Sequence, residues 1–216
     1  MSDLRSGLFV SFEGGEGTGK STQIKLLAEA LEKQGHSALL SWEPGGTPLG
    51  QKIRSLLIEP SEDPMSARCE ALLYAAARAE HVDKKIKPAL KAGKLVLCDR
   101  FIDASRAYQG WARGLGEAPI TDISLWATEG ILPDRVYVFD LDPNIGLERV
   151  KARQGGKLDR IEAAGLEFHS NIRKSYLRQA SKDPLRYKVI DASQKLERVS
   201  EMLLEDCTQW LKSKIV

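Results

Sequence analysis

Gly14-Gly15-Glu16-Gly17-Thr18-Gly19-Lys20-Ser21 is the stretch that decides the reading of this chain. It satisfies the pattern G-x-x-x-x-G-K-[S/T] at every fixed position. A short apolar run, Leu8–Phe12, precedes it and reads as a buried strand. A helical pattern over Lys20–Gln34 follows it and stops at Gly35. Strand, glycine loop and helix together make the pattern a phosphate-binding loop. The glycines let the backbone curl so that successive N–H groups converge on phosphate oxygens, and the helix start adds partial positive charge. Lys20 is placed to reach the β- and γ-phosphates, and Ser21 to offer its hydroxyl to Mg²⁺. Gly14, Gly15, Glu16, Gly17, Thr18, Gly19, Lys20, Ser21 and the adjoining Thr22 therefore form the expected ATP site.

Outward from this loop, short apolar runs alternate with helical patterns, as in a parallel α/β sheet. Strands are expected at Leu8–Phe12, Ala38–Trp42, Leu95–Cys98, Val136–Phe139 and Lys188–Ile190. Several are continuously apolar, which suits burial on both faces. Helices are expected at Lys20–Gln34, Leu49–Leu57, Ala67–Ala79, Val82–Ala92, Ile120–Thr128, Pro143–Arg153, Phe168–Ala180 and Leu196–Lys212. Leu95–Cys98 runs into Asp99, a carboxylate at the sheet edge where ligands of open α/β folds bind, so Asp99 is a candidate for holding a Mg²⁺-bound water. Gln154–Gly165 (QGGKLDRIEAAG) is polar and flanked by glycine. It reads either as a surface loop or as a lid.

With 216 residues, the chain reads as one domain spanning 1–216 with a lid at about 154–165. Its 32 basic and 30 acidic side chains leave a net charge of +2, too small a bulk field to capture nucleic acid or an anionic membrane. Anion binding must come from a local site. Cys69, Cys98 and Cys207 are far apart, with no C-x-x-C pair, which argues against a disulfide framework or a zinc site and for a reducing, cytoplasmic setting. The N-terminal apolar run breaks at Glu13, too soon for a signal peptide or a membrane span. His36, His81 and His169 are too scattered for a metal site.

The guanine-reading Asn-Lys-x-Asp pattern is absent. A set of separated motifs resembles the thymidylate kinase family over almost the whole chain. They are Phe12-Glu13-Gly14, Glu43-Pro44-Gly45-Gly46-Thr47, Ile53-Arg54, Tyr74-x-x-x-Arg78, Asp99-Arg100-Phe101, Ser105-x-x-Tyr108-Gln109-Gly110 and Leu158-Asp159-Arg160-Ile161-Glu162. The resemblance implies a P-loop, nucleoside-monophosphate-kinase-like fold: a five-stranded parallel sheet with helices on both faces and a short lid. It implies transfer of a phosphoryl group from ATP to dTMP with Mg²⁺, in dTTP synthesis, by a homodimer.

Site roles follow from the same resemblance. Arg100 would grip the acceptor 5′-phosphate, where a planar guanidinium fixes both charge and direction. Tyr74, at a position usually phenylalanine in the family, would stack on thymine, and Arg78, one helical turn on, would donate to O4. Arg54, Ser105 and Gln109 would line the base pocket. Tyr108 would pack under C2′ and exclude a ribose hydroxyl, and Glu16 would approach the 3′-OH. Arg149 would stack on adenine, with Ala192 in the loop beneath it.

Some relatives carry an arginine in the phosphate loop where this chain has Gly17. The basic residues in or beside the lid, Arg153 and Arg160 among them, place it in the lid-arginine type, with the lid two residues longer than the family spacing. Trp42 stands where many bacterial relatives have arginine. The alternatives are a kinase for another nucleoside monophosphate, which Tyr108 and Arg78 argue against, and a nucleotide-binding module without turnover.

Overall fold

The computed structural model describes residues 6–214; residues 1–5 of the N-terminal stretch read above lie outside them. Strands β1 (Phe9–Gly14), β2 (Ala38–Trp42), β3 (Leu95–Asp99), β4 (Arg135–Asp140) and β5 (Tyr187–Asp191) form one sheet in the order β2-β3-β1-β4-β5. Every adjacent pair is parallel. The expected fold class is therefore the observed one.

Side-chain alternation along the central strands divides the core between two layers. On one face Val10, Phe12, Leu95, Leu97, Tyr137 and Phe139 meet Ile24, Leu27 and Leu31 of α1 (Lys20–Lys33) and Val199, Leu203 and Leu211 of α9 (Leu196–Lys212). On the other face Phe9, Val96 and Cys98 pack on Val82, Ile86 and Leu90, while Val136 and Val138 pack on Ile172 and Tyr176 of α8 (Leu166–Lys182). The edge strands are less covered: Leu40 of β2 is 41% exposed and Val189 of β5 is 43% exposed, unlike the wholly buried Val10 and Val96.

Strand ends depart from expectation where a charged residue finds internal partners. β1 continues through Glu13, which pairs in register with Val138. The Glu13 carboxyl group is buried, but its oxygens accept from Phe101 N–H at 2.8 Å and Tyr176 O–H at 3.0 Å, so the acidic position does not break the strand.

α2 (Pro48–Ile58) starts with Pro48 in its first turn and is capped by Thr47, whose hydroxyl accepts from Gly50 N–H at 3.0 Å. The helices expected at Ala67–Ala79 and Val82–Ala92 are one path: α3 (Ala67–His81) passes through a π-helical turn at Val82–Ile86 into α4 (Lys87–Lys91). α5 (Ile102–Ser105) and a π-helical segment over Arg106–Ala112 occupy a stretch with no expected helix. α6 (Glu117–Thr128) and α7 (Pro143–Gln154) complete the set.

Candidate active site

The phosphate loop leaves the C-terminal end of β1, and Asp99 ends the neighbouring β3. Beside them opens a cleft of about 580 Å³. Glu16 through Thr22, Arg54, Tyr74, Arg78, Asp99, Arg100, Ser105, Tyr108, Gln109 and Arg153 all line it. Residues from five separated motifs thus converge on one continuous space.

At the loop end, Gly17 and Gly19 take left-handed backbone angles, φ 67° and 83°, that favour glycine. Gly17 also has no room for a side chain: a Cβ there would collide with the carbonyl oxygen of Gly146 on α7. The loop is therefore seated directly on α7, and an arginine in place of Gly17 would have to break that contact. Lys20 folds its ammonium onto Gly15 O at 2.8 Å, Gly14 O at 3.1 Å and Thr18 Oγ1 at 3.1 Å. Burial, reinforced by Arg100, pushes its pKa down to about 8, which leaves it mostly protonated at neutral pH. Ser21 O–H donates to Asp99 Oδ2 at 2.6 Å.

Arg100 sits at the junction of the two halves. It is a non-glycine residue at φ 68°, a sterically costly conformation that turns its side chain back over the loop. Its guanidinium donates to Gly14 O at 3.0 Å and Glu16 Oε1 at 2.7 Å and lies 4.9 Å from the Tyr108 ring centre. Tyr108 O–H also donates to Glu16 Oε1, at 2.8 Å. Burial would raise the Glu16 pKa, but Arg100, Lys20 and the Tyr108 hydroxyl outweigh it and hold it down at about 2. Glu16 is thus an ionised acceptor at working pH, fixed between the donor loop and the ring expected beneath the sugar.

The far end is built on α3. Arg78 is 2% exposed. It donates to Glu43 Oε2 at 2.7 Å, Phe101 O at 3.0 Å, Ser105 Oγ at 3.1 Å and Ser124 Oγ at 3.3 Å. Those bonds hold the guanidinium rigidly and use four of its five N–H groups, leaving one that no described residue takes up. Glu43 in turn accepts from or pairs with His81 Nδ1 at 2.9 Å. Tyr74 lies one turn before Arg78 in the same wall, with burial, then Glu70, pushing its hydroxyl up to about 12. Arg54 donates to Pro44 O at 3.2 Å. Trp42 is 46% exposed at the cleft wall, and its indole packs beside Gly45.

The basic residues in and beside the lid divide. Arg153 is exposed at the cleft wall and makes no ion pair among the described residues. Arg160 does not line the cleft. Its Nε donates to Leu57 O at 2.8 Å and its Nη1 lies 2.7 Å from Glu70 Oε2, so it clamps the lid to α2 and α3. In this geometry the guanidinium of Arg160, expected from the sequence to be catalytic, reaches Glu70 and Leu57 rather than the cleft. Arg149 is also outside the cleft, but it reaches Ala192 O at 3.4 Å and Gly17 O at 3.5 Å, joining the two elements expected around adenine.

Glu70, Arg113 and the glutamates Glu13 and Glu43 had no assigned role in the sequence reading. Glu70 had a findable signal: it lies four residues before Tyr74 and eight before Arg78, on the same helix face. Arg113 had none, since its closeness to Glu70 depends on the π-helical segment before it.

Among the described residues no group of three or more His, Cys, Asp or Glu side chains is arranged to hold a metal ion. The Ser21 hydroxyl and Asp99 carboxylate are hard oxygen donors. They suit a cation whose other ligands are phosphate oxygens and water, which is the usual manner of Mg²⁺.

A family model described as thymidylate kinase matches residues 12–203. A thymidylate kinase of Enterococcus faecalis is 47% identical over 196 residues, covering 90% of this chain and 92% of that protein. One of Pseudomonas savastanoi pv. phaseolicola is 48% identical over 198 residues, covering 92% and 93%. The crystal structure of thymidylate kinase from Ehrlichia chaffeensis matches with a TM-score of 0.74 at 30% identity, covering 93% of this chain and 98% of that one. The sequence match runs from the strand that carries the phosphate loop past the lid and into the last helix, and on that ground the chain belongs to the thymidylate kinase family.

Proposed function

We propose that ATP occupies the loop end of the cleft and dTMP the α3 end, with the transferring phosphoryl group between Lys20 and Arg100. The protein phosphorylates dTMP, a step of nucleotide biosynthesis. The observation that supports this division of the site is that the side chains expected to bind phosphate and those expected to read the base line one uninterrupted cleft, with Arg100 and Glu16 joined within it.

The acceptor phosphate is already nucleophilic, so the residues have no proton to remove from it. Their task is alignment and charge neutralisation. Loop N–H groups and Lys20 hold the donor phosphates; the lysine exchanges its loop carbonyl partners for phosphate oxygens. Ser21 and Asp99 would hold Mg²⁺, which when bound supplies charge neutralisation at the β- and γ-phosphates. Arg100 aims the acceptor phosphate at the donor. Glu16, ionised and held by Arg100 and Tyr108, accepts from the sugar 3′-OH, and the Tyr108 ring fills the space a 2′-OH would need. Tyr74 stacks on the base, Arg78 donates to O4, and Ser105, Gln109 and Arg54 complete the pocket. Arg153, on α7 beside the lid, meets the transferring group, and Arg149 and Ala192 bound the adenine side.

The reading takes the chain as one catalytic domain with a lid at about 154–165, acting as a homodimer in the cytoplasm. Exposed Leu56, Leu72 and Trp126, on α2, α3 and α6 with α2 and α6 each packed on α3, support a second copy as the partner. Cys69, Cys98 and Cys207 are all free thiols, in keeping with a reducing compartment. Among the described residues no helix is long and apolar enough to cross a membrane.

Lys20→Ala tests the assignment of the two ends. Turnover should fall by about a thousandfold or more, while calorimetry shows dTMP binding unchanged. Near-normal turnover in the folded variant, or loss of dTMP binding with it, would overturn the assignment.

A further inference from the structure

The buried carboxylate of Glu70 is not accounted for by the roles above. It is 1% exposed, yet it gathers three side chains from different parts of the chain. Gln109 Nε2 donates to its Oε1 at 2.8 Å. Arg113 approaches it with Nε 3.3 Å from Oε1 and Nη2 3.3 Å from Oε2. Arg160, from the lid, lies 2.7 Å from Oε2. Two guanidinium groups therefore keep a buried charge in place, and the remaining contact is to a residue of the base pocket.

That contact decides which way the Gln109 amide faces. An amide side chain has an accepting end and a donating end, whereas a carboxylate between two guanidinium groups only accepts. Glu70 therefore pins the amino end of Gln109 and turns its Oε1 away. Gln109 lines the cleft, and among the described residues no protein donor reaches Oε1. Thymine presents an N3–H donor, whereas the N3 of cytosine carries no hydrogen and only accepts. Turned this way, Gln109 bonds thymine and sets acceptor against acceptor for cytosine.

We propose that Glu70 is a positioning residue for base selection: it fixes the hydrogen-bond polarity of Gln109, and through Arg160 it ties that polarity to the docked lid. This rests on the reading that Gln109 faces the base. Arg78 judges position 4 of the pyrimidine. Glu70, acting through Gln109, judges position 3. A lid that docks by placing Arg160 on Glu70 also braces the group that orients the base reader.

The test measures kcat/KM for dTMP and dCMP, and KM for ATP, in wild type, Gln109→Met, Glu70→Gln, Glu70→Asp and the Glu70→Gln/Gln109→Met double variant. In Glu70→Gln an amide that can donate faces Gln109 and frees it to turn over. Glu70→Asp keeps the charge between the arginines, so it preserves the fold, but draws the carboxylate back from Gln109. Each single variant should lower the dTMP:dCMP ratio by about tenfold or more, with KM for ATP within about twofold of wild type. The double variant should lower the ratio no further than Gln109→Met does, because both act on one contact. If Gln109→Met lowers the ratio while both Glu70 variants keep it, the base reading stands and the role of Glu70 is refuted. If the double variant multiplies the two losses, Glu70 acts by another route and the proposal fails. If Gln109→Met leaves the ratio unchanged, Gln109 does not read the base, and both the reading and the proposal fall.

Discussion

Replacing Arg100 with lysine keeps the positive charge at the centre of the cleft and removes the planar fork. Arg100 donates to Glu16 at 2.7 Å, Gly14 O at 3.0 Å and the Tyr176 oxygen at 3.4 Å, and its two remaining N–H groups are available to a phosphate. An ammonium that kept Glu16 and Gly14 O as partners would have one N–H left. One charge-assisted hydrogen bond to the acceptor phosphate is therefore lost, worth about 1.5–3 kcal/mol, or roughly 10–150-fold. The loss belongs to kcat/KM for dTMP. ATP affinity should change little, because Lys20 and the loop N–H groups hold the donor. The assay follows ADP release with dTMP varied at saturating ATP, and calorimetry gives the ATP dissociation constant. A fall in kcat/KM of less than about threefold, or an equal weakening of ATP binding, would show that Arg100 does not grip the acceptor phosphate.

Other consequences are as specific. Gly17→Ala places a methyl group against the Gly146 carbonyl at a left-handed backbone position, so the loop or α7 must shift; kcat should fall by about a hundredfold, and wild-type turnover would show that the loop is not seated on α7. Burial of Glu13, with Asp103 nearby, pushes its pKa up from 4.5 to about 8. The folded protein therefore keeps a proton that the unfolded chain releases. This contribution is fully present below about pH 4.5 and is lost as pH rises through 8. Glu13→Gln should flatten the decline in stability between pH 5 and 8 by up to about 1.4 kcal/mol per pH unit. Urea midpoints across that range measure it, and parallel profiles for the two proteins would refute the shift.

The sheet and the phosphate loop were legible because their signals are local. An apolar run between turn residues marks a buried strand wherever it lies, and a glycine loop between strand and helix has one sensible use. Strand ends were less legible. Glu13 and Asp140 look like strand breakers in sequence, yet Glu13 meets Tyr176, which is distant along the chain, and Asp140 meets Arg173 at 2.6 and 2.9 Å. The Arg106–Ala112 segment was missed as a helix because its π-helical winding takes more residues per turn than the 3.6-residue period by which helices are read. That winding brings Tyr108 to Glu16 while Gln109 meets Glu70. The family motifs named the residues expected at the acceptor but not what holds them. Arg160 illustrates the limit. Its place in a motif marked it as important, and only the fold shows it committed to Glu70 and Leu57 instead of the cleft.

Selectivity among pyrimidine monophosphates bears most directly on the account of the acceptor pocket. Thymine and uracil share the O4 and N3–H edge, so Arg78 and Gln109 treat them alike and only the 5-methyl group separates them. One methyl in an apolar pocket is worth roughly 1–3 kcal/mol, or about 10–200-fold. Cytosine reverses both hydrogen bonds and leaves buried polar groups unpaired, so its rejection must be greater. Measured as kcat/KM at saturating ATP, the order should be dTMP, then dUMP, then dCMP. Use of dCMP equal to that of dTMP would contradict the base-reading role of Arg78 and the arrangement of the pocket built on it.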